Sequence, residues 1–414
     1  MILKRFSLIL TSLFFLFIKV VGQDMVNDRY HRSSLYSIIL NHPEQQFSAE
    51  IIESFKSIPL PDKYYDHNLK NRVMNAPVLQ KLSKEELEIT NRDAIHRLLL
   101  RNKIGGRLVE KWFNRDKQTG FFDMDLIRNR GFYDATLTDI QKALNSKRGL
   151  SQLEDAGEEL LSHTYVLVND IRYADKDTQK NLQGFGILLG AMAAQTVGLG
   201  YLVADVGLGI NDLVVGFKVY VTSYLFRLDW NNDIGDNFYS NMWIDSSMDS
   251  TNPDCVNRKN LFNNHMGNYT LTYLGCTTVF SGETSLAGVK HENDMFRKVC
   301  TRSIDKSISE LQKSFDEFKV YTPLVSTEPI LAYIGTKDGL TENSRYEVLE
   351  VSEDENGKTI YSRKGIIKPI KGKIWDNRYM AEFEDGYNSS IQGTSFEVES
   401  GKGFYPGMLI REIN

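Results

Sequence analysis

The chain has few of the residues that interrupt or cross-link a fold. Proline occurs only 9 times and cysteine 3 times in 414 residues, while aromatic residues make up 11%. Scarce proline together with abundant aromatics excludes a collagen-like chain, an extended coiled coil and a wholly disordered chain. The length exceeds that of one typical domain, so we expect two or three domains with cores of their own.

The three cysteines, Cys255, Cys276 and Cys300, do not have the spacing of a zinc site. An exported chain permits one disulfide among them, and the sequence leaves open which pair, if any, is joined. A mature chain of about 390 residues buries enough apolar surface to fold without such a link. The sequence therefore predicts no essential disulfide framework and no metal site.

The chain also lacks an excess of positive charge and the short motifs of catalytic sites. Its formal net charge is −5, whereas a nucleic-acid-binding protein needs a basic face to neutralise phosphates. The motifs HExxH, GxSxG, SxxK and CxxC and the Walker loop are absent, and the 7 histidines are scattered. These absences predict no nucleic-acid partner, no cofactor and no catalytic residue, and they favour a protein that is not an enzyme.

Residues 1–22 have the three regions of a secretory signal peptide. Lys4 and Arg5 supply the positive region, the apolar run Phe6–Ile18 follows, and small residues precede Gln23, where cleavage is expected. The alternative is a membrane anchor that stays, but the apolar run is shorter than the roughly 20 residues that a spanning helix needs. The sequence therefore predicts export to the periplasm or the outer membrane.

The patterns that follow the leader predict two folded domains. Strand patterns alternate with amphipathic helices, and Ile304–Phe318 has the strongest helical spacing. This order predicts an α/β (α+β) sheet with covering helices over residues 23–325. Short β-prone stretches with glycine turns predict a small all-β C-terminal barrel over residues 326–414. The predicted strands of the sheet are Ser34–Leu40, Arg107–Phe113, Tyr165–Ile171, Phe217–Trp230 and Tyr269–Phe280.

The run Phe185–Ala204 contains twenty residues without a charge, inside an apolar, Gly-rich insertion near 184–215. Small residues recur at every fourth position, which on a helix forms a ridge that a second helix can approach closely. Three structures stay open: a buried helical hairpin, a hairpin that contacts a membrane, and a β-hairpin that closes into a pore in an oligomer. The ridge, a candidate for membrane contact or helix packing, consists of Gly186, Gly190, Ala194 and Gly198.

The stretch from Arg128 to Ile171 resembles the core of the CsgG-like family, which is named after the curli secretion channel. In that family a strand ends in a charged turn, two helices follow, and a strand similar to GADYVLVGSI comes next. Arg128–Gly131 matches the turn, and Thr164–Ile171 matches the strand. The channel of the family inserts membrane β-hairpins where this chain has its Gly-rich insertion. Phe185–Ala204 lacks the alternation of polar and apolar residues that a β-pore needs.

The C-terminal part resembles a small β-barrel that is appended to exported flagellar and curli-type proteins. The matching residues are Gly335, Gly339, Leu340, Tyr346–Val348, Gly357, Gly365–Ile367 and Pro406–Leu409. Over its full length the chain is similar to exported proteins of Bacteroides-type bacteria. The resemblance implies a fold and an exported location, and it supplies no catalytic residue.

Together these features predict an exported, non-enzymatic scaffold or assembly protein at the outer membrane or in the periplasm. Its expected partners are other proteins or further copies of itself, with membrane contact through Phe185–Ala204. The alternative is a soluble periplasmic binding or adaptor module in which the apolar hairpin is part of the core. A secreted hydrolase is the third hypothesis, and it requires carboxylates clustered in a pocket.

Overall fold

A computed structural model describes residues 33–59, 63–77, 84–134, 160–173, 214–286, 292–353 and 359–413. Over these ranges the chain forms a mixed α/β unit and a second, closed β-sheet, with seven α-helices in all. The predicted signal peptide, the predicted Gly-rich ridge and the two helices that the family resemblance predicts before Thr164 lie largely or wholly outside the described residues.

The first sheet contains six strands. They are β1 (Ser34–Asn41), β2 (Tyr65–Asp66), β3 (Val73–Asn75), β4 (Thr164–Tyr173), β5 (Val214–Leu228) and β6 (Leu271–Leu286). Their order is β2–β1–β4–β5–β6, and β3 also pairs with β1. β1 runs parallel to β2, β3 and β4, whereas β5 and β6 join as antiparallel strands. The sheet is therefore mixed, with its parallel strands on one side.

Helices cover both faces of this sheet. They are α1 (Ser48–Ser57), α2 (Lys84–Arg101), α3 (Ile104–Trp112), α4 (Asp125–Asp134), α5 (Asn232–Asn241), α6 (Pro253–His265) and α7 (Glu292–Ser314). α1 and α7 pack on one face, where Leu167 of β4 is buried. α3, α5 and α6 pack on the other face, where Val166 and Val168 of β4 are buried. Successive side chains of a strand point to opposite faces, so the uninterrupted apolar run of β4 fits a strand that is covered on both sides.

The second sheet consists of six strands that close on one another into a barrel. The strands are β7 (Thr322–Thr327), β8 (Ile330–Ala332), β9 (Arg345–Glu353), β10 (Thr359–Pro369), β11 (Thr394–Gly401) and β12 (Leu409–Ile413). Side chains such as Leu324, Tyr346 and Phe396 fill its own core. The barrel begins at Thr322, so the predicted boundary at residue 326 falls inside its first strand.

The barrel is fixed to the outer side of α7 by ion pairs. Glu384 of the barrel lies 2.8 Å from Lys298 and 2.6 Å from Arg302 of α7. A second pair joins Asp338 of the barrel to Lys63, with 2.8 Å between the charged atoms. Burial raises the pKa of Glu384, but the hydrogen bonds from Lys298 and Arg302 outweigh it and lower this pKa to about 2. The barrel and the α/β unit are therefore held together by charges that are paired at neutral pH.

Four strand predictions are confirmed in position, but the predicted strand Arg107–Phe113 is wrong because these residues lie in or directly after α3. The apolar residues of α3 also have helical spacing, and they face the core. Gly105 and Gly106 lie within this helix. A side chain on Gly105 would come within 2.0 Å of the Tyr269 carbonyl oxygen, so the glycine permits a close backbone approach.

Two further differences concern the segments that carried the family resemblance and the covering helices. Arg128–Gly131 lies inside α4, and no strand precedes it among the described residues from 84 onward, so the expected strand-ending turn is a helix. Residues between β5 and β6 form two helices, α5 and α6, that the sequence patterns did not indicate. α5 begins with Asn231 as its N-cap, whose side chain accepts a hydrogen bond from the Ile234 amide.

Candidate functional site at one end of the first sheet

The two ends of the first sheet differ, and we name them by what lies there. The open end is the edge where β1 and β4 finish, at Asn41 and Tyr173. The closed end is the opposite edge, where β1 and β4 begin. Tyr173 pairs with Val219, and β5 extends five residues beyond that pair to Val214, still paired with β6. At about 3.4 Å per residue, this two-stranded ribbon (214–218 with 282–286) extends about 17 Å beyond Tyr173, the last described residue of β4.

A cluster of charged side chains lies at the open end. His42, directly after β1, lies 2.8 Å from an oxygen of Asp170 on β4, and Nε of Arg172 lies 2.8 Å from the same oxygen. Gln45 adds a hydrogen bond to the Ile171 carbonyl. Burial raises the pKa of Asp170, but the hydrogen bond with His42 and the charge of Arg172 hold it below its ordinary value. The Asp170 carboxylate is therefore ionised at neutral pH and ties β1 to β4.

The strand register extends this cluster across the sheet. Asp170 is opposite Thr222 on β5, and Thr222 is opposite Thr278 on β6, with 2.9 Å between the two hydroxyl oxygens. In the next row Arg172 is opposite Tyr220, and Tyr220 is opposite Phe280. The rings of this pair are 5.9 Å apart. Phe280 is 37% exposed. The open end therefore presents one row of polar groups and one row with aromatic rings on the same face.

The chain connections also single out this end. From β1 the chain passes through α1 on one face to β2 and β3 on one side of β1. It then forms α2, α3 and α4, of which α3 packs on the other face of the sheet. β4 follows and lies on the opposite side of β1 from β2 and β3. In open α/β sheets, ligand and partner sites lie outside the carboxyl ends of strands at such a change of direction. Here that position is occupied by His42, Asp170 and Arg172.

The closed end is filled by buried side chains. Trp112 Nε1 donates to the Thr164 hydroxyl at 2.8 Å, and Arg130 donates to the Ser34 hydroxyl at 2.6 Å. Arg130 also contacts His67 Nδ1 at 3.1 Å, and its guanidinium lies 4.4 Å from the Trp112 ring centre. Burial and the charge of Arg130 hold the pKa of His67 well below its ordinary value, so this imidazole is neutral. These groups partner one another inside the protein, which indicates a structural role.

A cavity of about 380 Å³ opens near the closed end, between the ends of β4 and β5. Its charged lining residues have partners within the protein. Arg227 forms an ion pair with Glu317. Asp229 accepts hydrogen bonds from the hydroxyls of Thr270 and Thr272, each at 2.6 Å. The cavity is therefore lined by polar groups, and its two carboxylates, Asp229 and Glu317, are both engaged by partners within the protein.

The structure bears on several sequence predictions about sites. Within the described ranges, no group of three or more histidine, cysteine, aspartate or glutamate side chains is arranged for a metal ion. Cys255, Cys276 and Cys300 form no disulfide, and Cys255 and Cys300 are buried. Burial raises the pKa of Cys300 to about 12, so this thiol is protonated and unreactive. Among the described residues, no helix is both long and apolar enough to cross a bilayer.

The four predicted ridge residues, Gly186, Gly190, Ala194 and Gly198, lie outside the described residues, so the structure places only the ends of the segment that contains them. Those ends are Tyr173 and Val214, both at the open end. The open-end cluster itself escaped the sequence analysis, because His42 and Asp170 are 128 residues apart and form no motif.

No protein-family model matches the chain, and a search of curated proteins finds no significant match.

Proposed function

We propose that the protein is an exported scaffold or assembly protein, that it is not an enzyme, and that it makes its contacts at the open end of the first sheet. One observation carries this proposal. The chain leaves β4 at Tyr173 and enters β5 at Val214, so both attachments of the segment with the apolar ridge are at the open end. A membrane or a partner protein that binds the ridge would therefore meet the molecule from this side.

The projecting ribbon supports the same assignment. A two-stranded ribbon is only marginally stable in water by itself, and it gains stability when another surface covers it. The ribbon and the exposed ring of Phe280 lie next to the attachments of the segment. We propose that the Gly-rich residues, as a close-packed helical hairpin, and the ribbon together form one contact region in a CsgG-like arrangement.

The chemistry of the open-end cluster supports a binding role over catalysis. His42 is only 4% exposed. The partners that the described residues offer it are the carboxylates of Asp170 and Glu44, at 2.8 and 3.7 Å. A histidine that activates a nucleophile needs a hydroxyl or thiol within hydrogen-bond reach. The His42 and Asp170 side chains therefore suit a role in orienting the ends of β1 and β4 better than a role in activating a nucleophile.

The test is fractionation of the full chain produced in a Gram-negative bacterium, with a carbonate wash of the membranes. In the main variant, residues 178–210 are replaced by a short Gly-Ser linker that keeps β4 and β5. The proposal predicts that the wild type stays with the washed membranes. The variant should unfold at a similar temperature and appear in the soluble fraction, because the sheet keeps its strands.

Two results would contradict the proposal. A variant that no longer folds would show that the segment is part of the core, as in the soluble adaptor alternative. A folded variant that still sediments with membranes would show that the segment is dispensable for contact. A matched pair of point variants examines the ridge itself: Gly190→Leu should lower membrane retention, because overpacking a close helix contact costs about 1–3 kcal/mol. Leu189→Ile, off the ridge, should not.

A further inference from the structure

The two lateral edges of the first sheet are protected to very different degrees. One edge is formed by β2 and β3, which have 2 and 3 residues. The other edge is formed by β6, which has 16 residues and pairs only with β5 among the described strands. A long edge strand offers a row of backbone donors and acceptors to another strand, and proteins usually block it with lysine, proline, a bulge or a short length.

β6 has such protection only near its start. The pairing register shifts between Tyr273 and Gly275, which places Leu274 in a bulge. The section Thr277–Gly282 is in regular register and contains no charge and no proline. Within it, Phe280 is one of the exposed large hydrophobic side chains of the molecule. This section therefore has the features of an edge that another strand covers.

We infer that Thr277–Gly282 pairs with the same section of a second copy of this chain, antiparallel about a two-fold axis. Glu283 is the only charged residue of β6. The two-fold axis can lie at any position from Thr277 to Ser281. In each of these registers, position 283 of one copy is opposite a residue of the neutral run Leu271–Val279 of the other copy. The two copies of β6 can therefore pair without placing like charges opposite each other, which would destabilise the pairing.

The remaining edges of the molecule suit a second copy less well. The barrel is closed, so its strands present no free edge of this kind. β2 and β3 are too short to match the regular section of β6. A contact through one strand is also small compared with the roughly 1,200–2,000 Å² of a standard interface. The dimer is therefore weak by itself, with dissociation in the micromolar range. This inference goes beyond the proposed function, and it does not depend on membrane contact.

The experiment is sedimentation equilibrium of the purified full chain in mild detergent, at up to about 100 µM, well above a micromolar dissociation constant. Phe280→Lys puts a charge into the edge of each copy. The matched control is Val398→Lys on β11, whose side chain is 47% exposed and whose strand lies inside the closed barrel, where Val398 pairs with Ile367 of β10. The expected result is a dimer whose dissociation constant rises about tenfold or more with Phe280→Lys and is unchanged with Val398→Lys.

A monomer at the highest concentration would overturn the inference, and so would a dimer that Phe280→Lys leaves unchanged. Thermal unfolding of both lysine variants shows that each is folded, since the two side chains are exposed. The same pair of substitutions in the linker variant, measured without detergent, is a second measurement where that variant folds. This measurement does not use membranes. A negative result here therefore leaves the proposed membrane contact standing, and a negative fractionation result leaves the inferred dimer standing.

Discussion

The closed end and the open end of the first sheet contain similar residue types but use them differently. At the closed end, Arg130, His67 and Trp112 contact one another and lie in the protein interior. At the open end, Arg172 and Asp170 keep 32% and 18% of their side-chain surface exposed. Phe280 is more exposed still. Polar groups in the interior that satisfy one another stabilise the fold. The open-end groups also satisfy one another, but they keep exposed surface that a partner can contact.

A matched pair of phenylalanine truncations should show the largest difference between the two ends. Phe113 lies directly after α3 towards the closed end and is fully buried, whereas Phe280 is 37% exposed. Phe113→Ala should lower the free energy of unfolding by about 3–5 kcal/mol, because it leaves a cavity in the core. Phe280→Ala should cost about 1 kcal/mol or less, as expected for a partly exposed side chain. Denaturant unfolding of both variants measures this, and equal losses would contradict the distinction between the ends.

A pair of threonine substitutions sharpens the comparison with a smaller effect. Thr164→Val removes the buried acceptor of the Trp112 indole hydrogen, which lies 2.8 Å away. An unsatisfied buried donor costs about 1–3 kcal/mol. Thr222→Val breaks the hydroxyl contact to Thr278, but these side chains are only partly buried and water can replace the lost partner. We expect that change to cost less than about 1 kcal/mol. A larger loss in Thr222→Val would show that the open end is also part of the stable core.

Acid should loosen the joint between the barrel and α7 while leaving both ends of the sheet folded. Glu384 has its pKa lowered from 4.5 to about 2 by its cationic partners. Its contribution is therefore complete above pH 4.5 and is lost as the pH falls from 4.5 towards 2. Limited proteolysis of the segment between α7 and β7 should accelerate over this range. Glu384→Gln should weaken this pH dependence and leave the part that Asp338 supplies, since burial raises the pKa of Asp338 but Lys63 and its hydrogen bonds hold it below its ordinary value. Glu382→Gln, two residues away and exposed, should keep the full dependence. If the rate of proteolysis of Glu384→Gln depends on pH as that of the parent chain does, the ion pairs of Glu384 are not the acid-sensitive contact.

The parts of the fold that were predictable from the sequence have a local signal. β4 carries a continuous apolar run, and β1, β5 and β6 were found in the same way, because a strand covered on both faces shows its burial in its own residues. The segment Arg107–Phe113 shows the limit of this signal. Its apolar residues fit either period, and the choice of helix depends on Gly105 contacting the backbone of Tyr269, which is far away in the sequence.

The site was less predictable than the fold for the same physical reason. His67 and Arg130 are 63 residues apart, and His42 and Asp170 are 128 residues apart. Only the strand order and register bring the members of each pair together. The edge position of β6 among the described strands likewise depends on the strand order, which hydrophobic periodicity cannot show. The ridge at Gly186, Gly190, Ala194 and Gly198 has a local sequence signal, and it stays a prediction.

The central claim is that the protein makes its contacts at the open end, and thiol labelling in intact membranes tests it most directly. Lys218→Cys places a thiol on the ribbon at the open end, and Asp236→Cys places one on the exposed side of α5 near the closed end. Both are compared with the parent chain, whose Cys255 and Cys300 are buried. The account predicts that a maleimide labels Lys218→Cys several-fold more slowly in membranes than after detergent extraction, and labels Asp236→Cys equally in both. Equal labelling of Lys218→Cys in the two states, or protection of Asp236→Cys alone, would contradict it.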